Sequence, residues 1–347
     1  MSFGNIAFLG SGETSLAGGR VFEQLATQLH APLRIAVLET PAGFELNSPQ
    51  VAGRVADFMK TRLQNFNPQI DVIPARKKES AFSPDDPEIC APLLRANMIF
   101  MGPGSPTYAI RQLTGSLAWN IIRARQRLGA AVVFASAATV AVGAHAIPVY
   151  EIFKVGLDVH TVPGLDFFAD FATPLSFVPH WNNTDGGDDV DTSRCFIGME
   201  RFAQWCDLLP EGHITVGLDE HTGIIMNFEK GEIRVVGVSS VTLLRACNPK
   251  IYPAGTTFPL AEIGPLSLAE NLGAGIPPSV WEMAQNIPSP DPIMDEAPPP
   301  DVLRLVDQRQ AAREHKDWAA ADEYRQQIAS LGWTLQDTPD GPKLVKA

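Results

Sequence analysis

Short apolar runs alternate with stretches of helical periodicity over residues 1–146. Asn5–Leu9, Arg34–Leu38, Ile70–Ile73, Met98–Met101 and Ala131–Ala135 are mostly apolar over their whole length, which predicts buried strands. Between them, Gly18–His30, Ser48–Leu63, Pro87–Arg95 and Pro106–Arg127 carry helix-compatible spacing, the last as two helices broken near Gly115. This alternation predicts an α/β fold: a mainly parallel sheet with helices on both faces. Such sheets gather their functional groups at the carboxyl ends of the strands.

From about residue 150 the pattern changes. Leu175–Val178 predicts a strand ending in Pro179-His180-Trp181, followed by a polar loop over Asn182–Asp191 and a helix over Phe196–Leu208. Ile214–Leu218, Gly223–Phe228, Ile233–Val238 and Val241–Arg245 predict short strands, with a hairpin turn at Lys230-Gly231. These are expected to extend the same sheet and complete one domain over 1–265. Residues 266–300 hold eight prolines and little periodicity, which predicts an extended linker. Beyond it, Asp301 is expected to cap a helix running to about Glu314, and a second helix starts at Asp317. Trp333–Gln336 and Lys343–Val345 flank Thr338-Pro339-Asp340-Gly341, a small hairpin turn. The 301–347 segment is thus a small C-terminal helical hairpin.

Composition narrows the picture. The 347 residues are 45% hydrophobic, enough to bury a substantial core, and the net charge of −12 argues against non-specific nucleic-acid binding. The four cysteines, Cys90, Cys195, Cys206 and Cys247, form no C-x-x-C pair, so reduced thiols and a cytoplasmic setting are expected. The N-terminus lacks a basic region with a long apolar stretch, and no apolar run is long enough to span a membrane.

The predicted strand ends carry the candidate chemistry. The first is followed by Gly10-Ser11-Gly12-Glu13-Thr14, the second by Glu39-Thr40-Pro41-Ala42-Gly43, the fourth by Gly102-Pro103-Gly104-Ser105-Pro106, and the fifth by Ser136. A serine between the apolar run Ala130–Ala135 and the small-residue helix Ala137–Ala141 fits a nucleophile elbow. Elbows favour very small residues two places to either side; here those places hold Phe134 and Ala138, and Phe134 is expected to crowd or tilt the strand. A serine nucleophile needs a base and an acid to orient it. Of the seven histidines, His30 and His315 are expected at the surface and His145 in a structural role. His160 and His213 lie in loops, whereas His180 and His221 follow predicted strands and can reach the rim.

Taken in order, these segments resemble the serine peptidases that include cyanophycinase and aspartyl dipeptidase, within the class I glutamine amidotransferase-like fold with its flavodoxin-like core. The resemblance rests on Phe8-Leu9-Gly10-Ser11-Gly12-Glu13, on Gly102-Pro103-Gly104-Ser105-Pro106-Thr107, and on Phe134-Ala135-Ser136-Ala137-Ala138-Thr139 against the family's Gly-Thr-Ser-Ala-Gly-Ala. Val178-Pro179-His180-Trp181 stands against Asp-Gln-His-Phe. Gly217-Leu218-Asp219-Glu220-His221-Thr222-Gly223 stands against Gly-Ile-Asp-Glu-Asp-Thr-Ala. It implies Ser136 as nucleophile, His180 as general base and Glu220 as the acid orienting it. It also implies an oxyanion hole from the backbone N–H groups of Gly104 and Ala137, each donor worth roughly 3 kcal/mol. Gly12, Glu13, Ser105, Trp181 and His221 are expected at the substrate rim. No cofactor and no metal are expected. The implied substrate is a small peptide or an aspartyl-containing one. A homodimer, a protein partner for the tail, and no membrane or nucleic-acid partner complete the expectations.

Arg309–Asp322, with Arg325, Leu331-Gly332, Leu335 and Asp337–Gly341, resembles the extreme C-terminus of bacterial cysteinyl-tRNA synthetases. The synthetase signatures His-Ile-Gly-His and Lys-Met-Ser-Lys-Ser are absent, so aminoacylation is not expected. The 301–347 segment carries seven Lys/Arg against eight Asp/Glu, which favours a docking module over an RNA-binding one. Two readings stay open: a serine hydrolase of peptide or isopeptide bonds, and a catalytically inactive amidotransferase-like binding protein whose tail docks a partner or RNA. A glutamine amidotransferase would want cysteine at the elbow, where this chain has Ser136.

Overall fold

All five apolar runs of the first half form the parallel part of one sheet: β1 (Ile6–Leu9), β2 (Arg34–Leu38), β3 (Gln69–Ile73), β4 (Met98–Met101) and β5 (Ala131–Ala135). They lie side by side in the order β1-β5-β4-β2-β3. The computed structural model describes residues 3–245, 248–267, 271–286, 299–315, 317–338 and 341–346.

Strand side chains alternate between the two faces, and both faces are covered. Ala7, Leu9, Val133 and Ala135 meet Val21 and Phe22 of α1 (Leu16–Ala26) and Val55 and Met59 of α2 (Ser48–Arg62). On the other face Ile6, Phe8, Val132 and Phe134 meet α3 (Pro87–Arg95), α4 (Pro106–Leu113) and α5 (Leu117–Arg127). Helix starts are set locally: Ser15 Oγ accepts from Ala17 N at 3.2 Å and Asp86 Oδ1 from Glu88 N at 2.8 Å. Gly115, at φ +70°, breaks the chain between α4 and α5, and Ser116 caps the second.

After α6 (Ala137–Ala141), β6 (His145–Ala146) and β7 (Val162–Pro163) form a short ribbon. Then come β8 (Leu175–Val178), α7 (Gly198–Asp207), β9 (Ile214–Leu218), β10 (Thr222–Asn227), β11 (Glu232–Gly237), β12 (Ser240–Arg245), β13 (Asn248–Pro253) and β14 (Thr257–Pro259). The expectation that all of these extend the first sheet holds only in part. β10, β11 and β14 do so, antiparallel, beginning at β1. β8, β9, β12 and β13 instead form a second sheet in the order β13-β12-β9-β8. Both edges of β1 are taken by β5 and β10, so β8 and β9 bury their apolar side chains against the face of the first sheet. Phe177 of β8 stacks on Phe8 of β1 with ring centroids 4.0 Å apart.

The region expected as an extended linker is partly folded. Ile276, Val280 and Ala284 join the main core, the last two from α8 (Pro278–Gln285), and Arg127 Nη1 donates to Leu272 O and Ala274 O at 2.6 Å. Pro278 opens that helix, where its missing N–H costs nothing, and the apolar spacing buries one face. Residues 287–298 lie outside the described residues.

The chain divides into two units, Met1–Ile287 and Pro288–Ala347. In the second, α9 (Pro300–Glu314) and α10 (Trp318–Ser330) precede β15 (Trp333–Thr338) and β16 (Gly341–Lys346), around a small core of Val302, Ile328, Trp333 and Leu335. Asp317 caps α10 by accepting from Ala320 N at 3.1 Å. Asp301, expected as the cap of α9, lies inside its first turn and pairs with Arg304 at 2.8 Å, with Pro299 at the cap position. The expected turn at 339–340 lies outside the described residues. Among the described residues no helix is long and apolar enough to cross a membrane.

Candidate active site

β8 and β9 are parallel neighbours with Val178 opposite Gly217, so the two strands end together. His180 stands two residues past the end of β8 and Glu220 two past the end of β9. The end of β1 ties this pair to the elbow: Leu9 O accepts from Ser136 N and Gly10 O from His180 N, both at 3.2 Å. Gly10 has no room for a side chain, since a Cβ there would lie 2.2 Å from Asp219 O. The glycine-rich first turn therefore lets β1 pass close under the chain that carries the carboxylate.

Ser136 has φ +51° and ψ −116°, a conformation that costs a non-glycine residue about 1–3 kcal/mol. It turns the chain sharply from β5 into α6. The crowding expected from Phe134 does not occur. Phe134 is fully buried, its ring 5.5 Å from Phe8 and 5.6 Å from Phe167, while the turn at Ser136 carries the hydroxyl away from that core. On the other side of the turn the small residue is used: Ala138, fully buried, donates its N–H to Gly102 O at 3.2 Å.

Ser136 Oγ lies 2.9 Å from His180 Nε2, and His180 Nδ1 lies 3.0 Å from Glu220 Oε1. A carboxylate can only accept, so Nδ1 carries the proton and the neutral ring presents Nε2 to the hydroxyl as an acceptor. The hydrogen bond from His180 holds the Glu220 carboxyl down at about 2, helped by Asn183 and opposed by partial burial. Asn183 Nδ2 donates to Glu220 Oε1 at 2.8 Å and Asn182 Oδ1 accepts from Glu220 N at 2.8 Å. Asp219 Oδ2 accepts from Ser239 Oγ at 2.6 Å and from Ser240 N and Oγ at 3.0 and 2.7 Å, anchoring the loop after β9 to β12. Sequence reasoning missed Asn182, Asn183 and Asp219 in these roles. The signals were a pair of asparagines directly behind His180-Trp181 and, for Asp219, its place beside Glu220 in the Gly217–Gly223 motif.

Gly104, at φ +142°, packs so closely on the turn after β2 that a Cβ would meet Pro41 O at 1.9 Å. Ala137 is the first residue of α6, where helical N–H groups have no intrahelical acceptor. Both line the same cavity as Ser136 and His180. The expected rim residues divide. Gly12 lies under the His221 ring, His221 is exposed with its N–H donating to Ser11 Oγ at 3.0 Å, and Glu13 is half-buried in the same turn. Ser105 is not a rim residue: it is buried and caps α4 through Tyr108 N at 3.2 Å. Trp181 is not one either. It is buried, edge-on to Phe202, with the Arg194 guanidinium 3.9 Å over its ring, because the chain turns at His180 and sends the next side chain inward over Gly217.

A cavity of about 170 Å³ opens at the hydroxyl of Ser136. Its far wall comes from two segments of the middle of the chain, Val149–Lys154 and Cys195-Phe196. Arg194, Cys195 and Phe196 have φ of +58°, +60° and +68°, three consecutive left-handed residues. Such strain persists where the surroundings over-determine it, here through Arg194 N to Trp181 O at 3.0 Å and Cys195 N to His180 O at 3.2 Å. Burial pushes the Cys195 thiol up to about 12, so it stays protonated and unreactive beside the serine.

Comparison with known proteins finds two separate likenesses. Over 74% of its length this chain resembles the crystal structure of a peptidase from an acI-B1 Actinobacterium, with TM-score 0.59 at 19% identity, covering 97% of that chain. The two proteins share a fold. Residues 295–341 match the family model of the cysteinyl-tRNA ligase anticodon binding domain. The cysteine–tRNA ligase of Chlamydia felis is 48% identical over 48 residues, 14% of this chain and 10% of that protein. The enzyme of Methanosarcina mazei is 48% identical over 52 residues, 15% of this chain and 11% of that protein. The chain thus spans about a tenth of the length of the curated relatives it matches.

Proposed function

We propose that the first unit is a serine hydrolase of peptide or isopeptide bonds, as the resemblance to cyanophycinase-like peptidases implies. The observation that supports it is the hydrogen-bonded line from Ser136 Oγ through the His180 ring to Glu220, opening on a cavity. Ser136 Oγ attacks the substrate carbonyl as its proton passes to His180 Nε2. The carbonyl oxygen becomes an oxyanion held by the N–H groups of Gly104 and Ala137. The C–N bond breaks, the amine leaves with the proton from His180, and an ester to Ser136 remains. Water gives a proton to His180, attacks the ester, and Ser136 regains its hydrogen. Glu220, held ionised, fixes the tautomer and balances the transient imidazolium.

The test is reaction of the folded protein with a fluorophosphonate probe, followed by peptide mass spectrometry. Ser136 is expected to carry the phosphonate, and Ser136→Ala to abolish labelling. An intact protein unmodified at Ser136 sinks the reading and leaves the inactive binding protein as its successor.

For the tail the family match supports a nucleic-acid contact, while its near-neutral charge supports protein docking, which we favour. Binding of the full chain to tRNA with a steep salt dependence would reverse that preference. A cytoplasmic setting fits the reduced, buried Cys90 and Cys195.

A further inference from the structure

The cavity beside Ser136 has walls that the aspartyl substrates of the resemblance do not fit. Val140, one helical turn after the serine, is fully buried, and Val149 is nearly so. The Phe196 ring lies 5.1 Å from the His180 ring and 5.9 Å from the Phe153 ring, so an aromatic wall runs outward from the base. Lys154 is the one cation lining this cavity among the described residues. It is exposed, with its ammonium 4.6 Å from the centre of the Phe153 ring. Tyr150, on the same wall, titrates above its ordinary value through burial and, less, the nearby Glu45 carboxylate. A carboxylate drawn into this space gives up water with no guanidinium inside to replace it. An apolar group gives up water at a gain. The volume decides the size: an apolar cavity of about 150 Å³ holds a benzene ring, and this one measures about 170 Å³.

We propose that this cavity is the specificity pocket for an uncharged apolar side chain, branched aliphatic or single-ring, on the residue whose carbonyl Ser136 attacks. The proposal rests on the serine hydrolase reading. The acyl side is chosen because Gly104 and Ala137, the oxyanion donors of that reading, line the same cavity and place the carbonyl at its mouth.

A set of fluorogenic aminoacyl amides with one leaving group and phenylalanyl, leucyl, glycyl or α-aspartyl acyl groups tests it. The expected kcat/KM is about 10- to 100-fold higher for phenylalanyl and leucyl than for glycyl, and lowest for aspartyl. Phe153→Ala is expected to narrow the phenylalanyl-to-glycyl ratio at least about fivefold, and Phe153→Leu to restore part of it. The ratio cancels any loss of folded protein. Preference for aspartyl that falls in Lys154→Ala overturns this proposal and leaves the hydrolase reading standing, as does equal turnover of all four. Failure to turn over any of them, with Ser136 unlabelled by fluorophosphonate, overturns both.

Discussion

Two serine–histidine pairs stand at opposite ends of the same two strands, each with a hydroxyl 2.9 Å from an imidazole nitrogen. Ser136 and His180 meet beyond the carboxyl ends of β8 and β9. Ser176 and His213 meet near their amino ends. The distances are equal and the chemistry is opposite. Ser176 donates its only hydrogen to His145 O at 2.7 Å, so its oxygen must accept from His213 Nε2 as well as from His145 N at 3.2 Å. The proton sits on the histidine, and the buried hydroxyl has nothing to give up. Burial and the neighbouring His145 then hold the His213 ring down at about 4. At the other end a carboxylate claims the far ring nitrogen, which turns the near one into an acceptor. What separates the proposed nucleophile from the structural hydroxyl is where the second proton is held, and the serine–histidine distance does not report it.

The largest test of this contrast is at the two serines' own ends. Ser136→Ala is expected to lower kcat/KM for any substrate that is turned over by about 10⁴-fold or more. Ser176→Ala is expected to leave kcat within about threefold and to cost about 1–3 kcal/mol of stability, because two partly buried donors, His145 N and His213 Nε2, lose their acceptor. Steady-state kinetics and urea unfolding of both variants decide it; loss of turnover in Ser176→Ala alone would reverse the assignment. Next, Glu220→Gln is expected to lower kcat by about 10²–10⁴-fold with little change in stability, because the amide no longer fixes the tautomer. A fall of less than fivefold would show that the carboxylate does not orient the base.

Phe134→Ala sharpens the elbow rather than the pairs. It is expected to destabilise the domain by about 3–5 kcal/mol, as for other buried phenylalanines, with no rise in kcat. A faster enzyme would show that the ring does press on the elbow. The smallest effect is a pH dependence. His213 titrates near 4 when folded against an ordinary 6.5, so the unfolded chain binds more protons between these values. Its contribution is complete above pH 6.5 and is lost as pH falls towards 4. Thermal unfolding of His213→Gln should show a flatter acid limb across that window than the parent; an unchanged limb would remove His213 as its source.

The parallel half of the sheet was legible in the sequence almost to the residue. β2, β4 and β5 begin and end where the apolar runs do, because each run is bounded by turn residues that act locally. The break between α4 and α5 was legible for the same reason, as Gly115 and the cap Ser116 sit together. Ser136 and His180 stood out by their positions after strands, whereas Glu220 entered only through the resemblance carried by Gly217–Gly223. Trp181 and Ser105 were misread, since a rim residue and a buried one look alike when both follow a strand end. The cavity wall was not legible at all. Phe153 and Cys195 lie in segments that predicted no element and Phe196 stood at the start of a predicted helix, and only the folded chain brings them to the serine.

By itself the sequence determined the elements, the turns and the gathering of strand ends at one rim, because periodicity, capping and glycine conformation act over a few residues. Only the tertiary structure decided which strands pair. With both edges of β1 occupied, β8 and β9 were left to pair with each other in parallel. That pairing, between segments about forty residues apart, puts His180 beside Glu220 at one end and His213 beside Ser176 at the other. Tertiary packing likewise set the fate of Phe134, whose ring meets Phe8, Trp119 and Phe167. Strand pairing depends on which edges and faces remain open after every other element has been placed, and no local pattern contains that information.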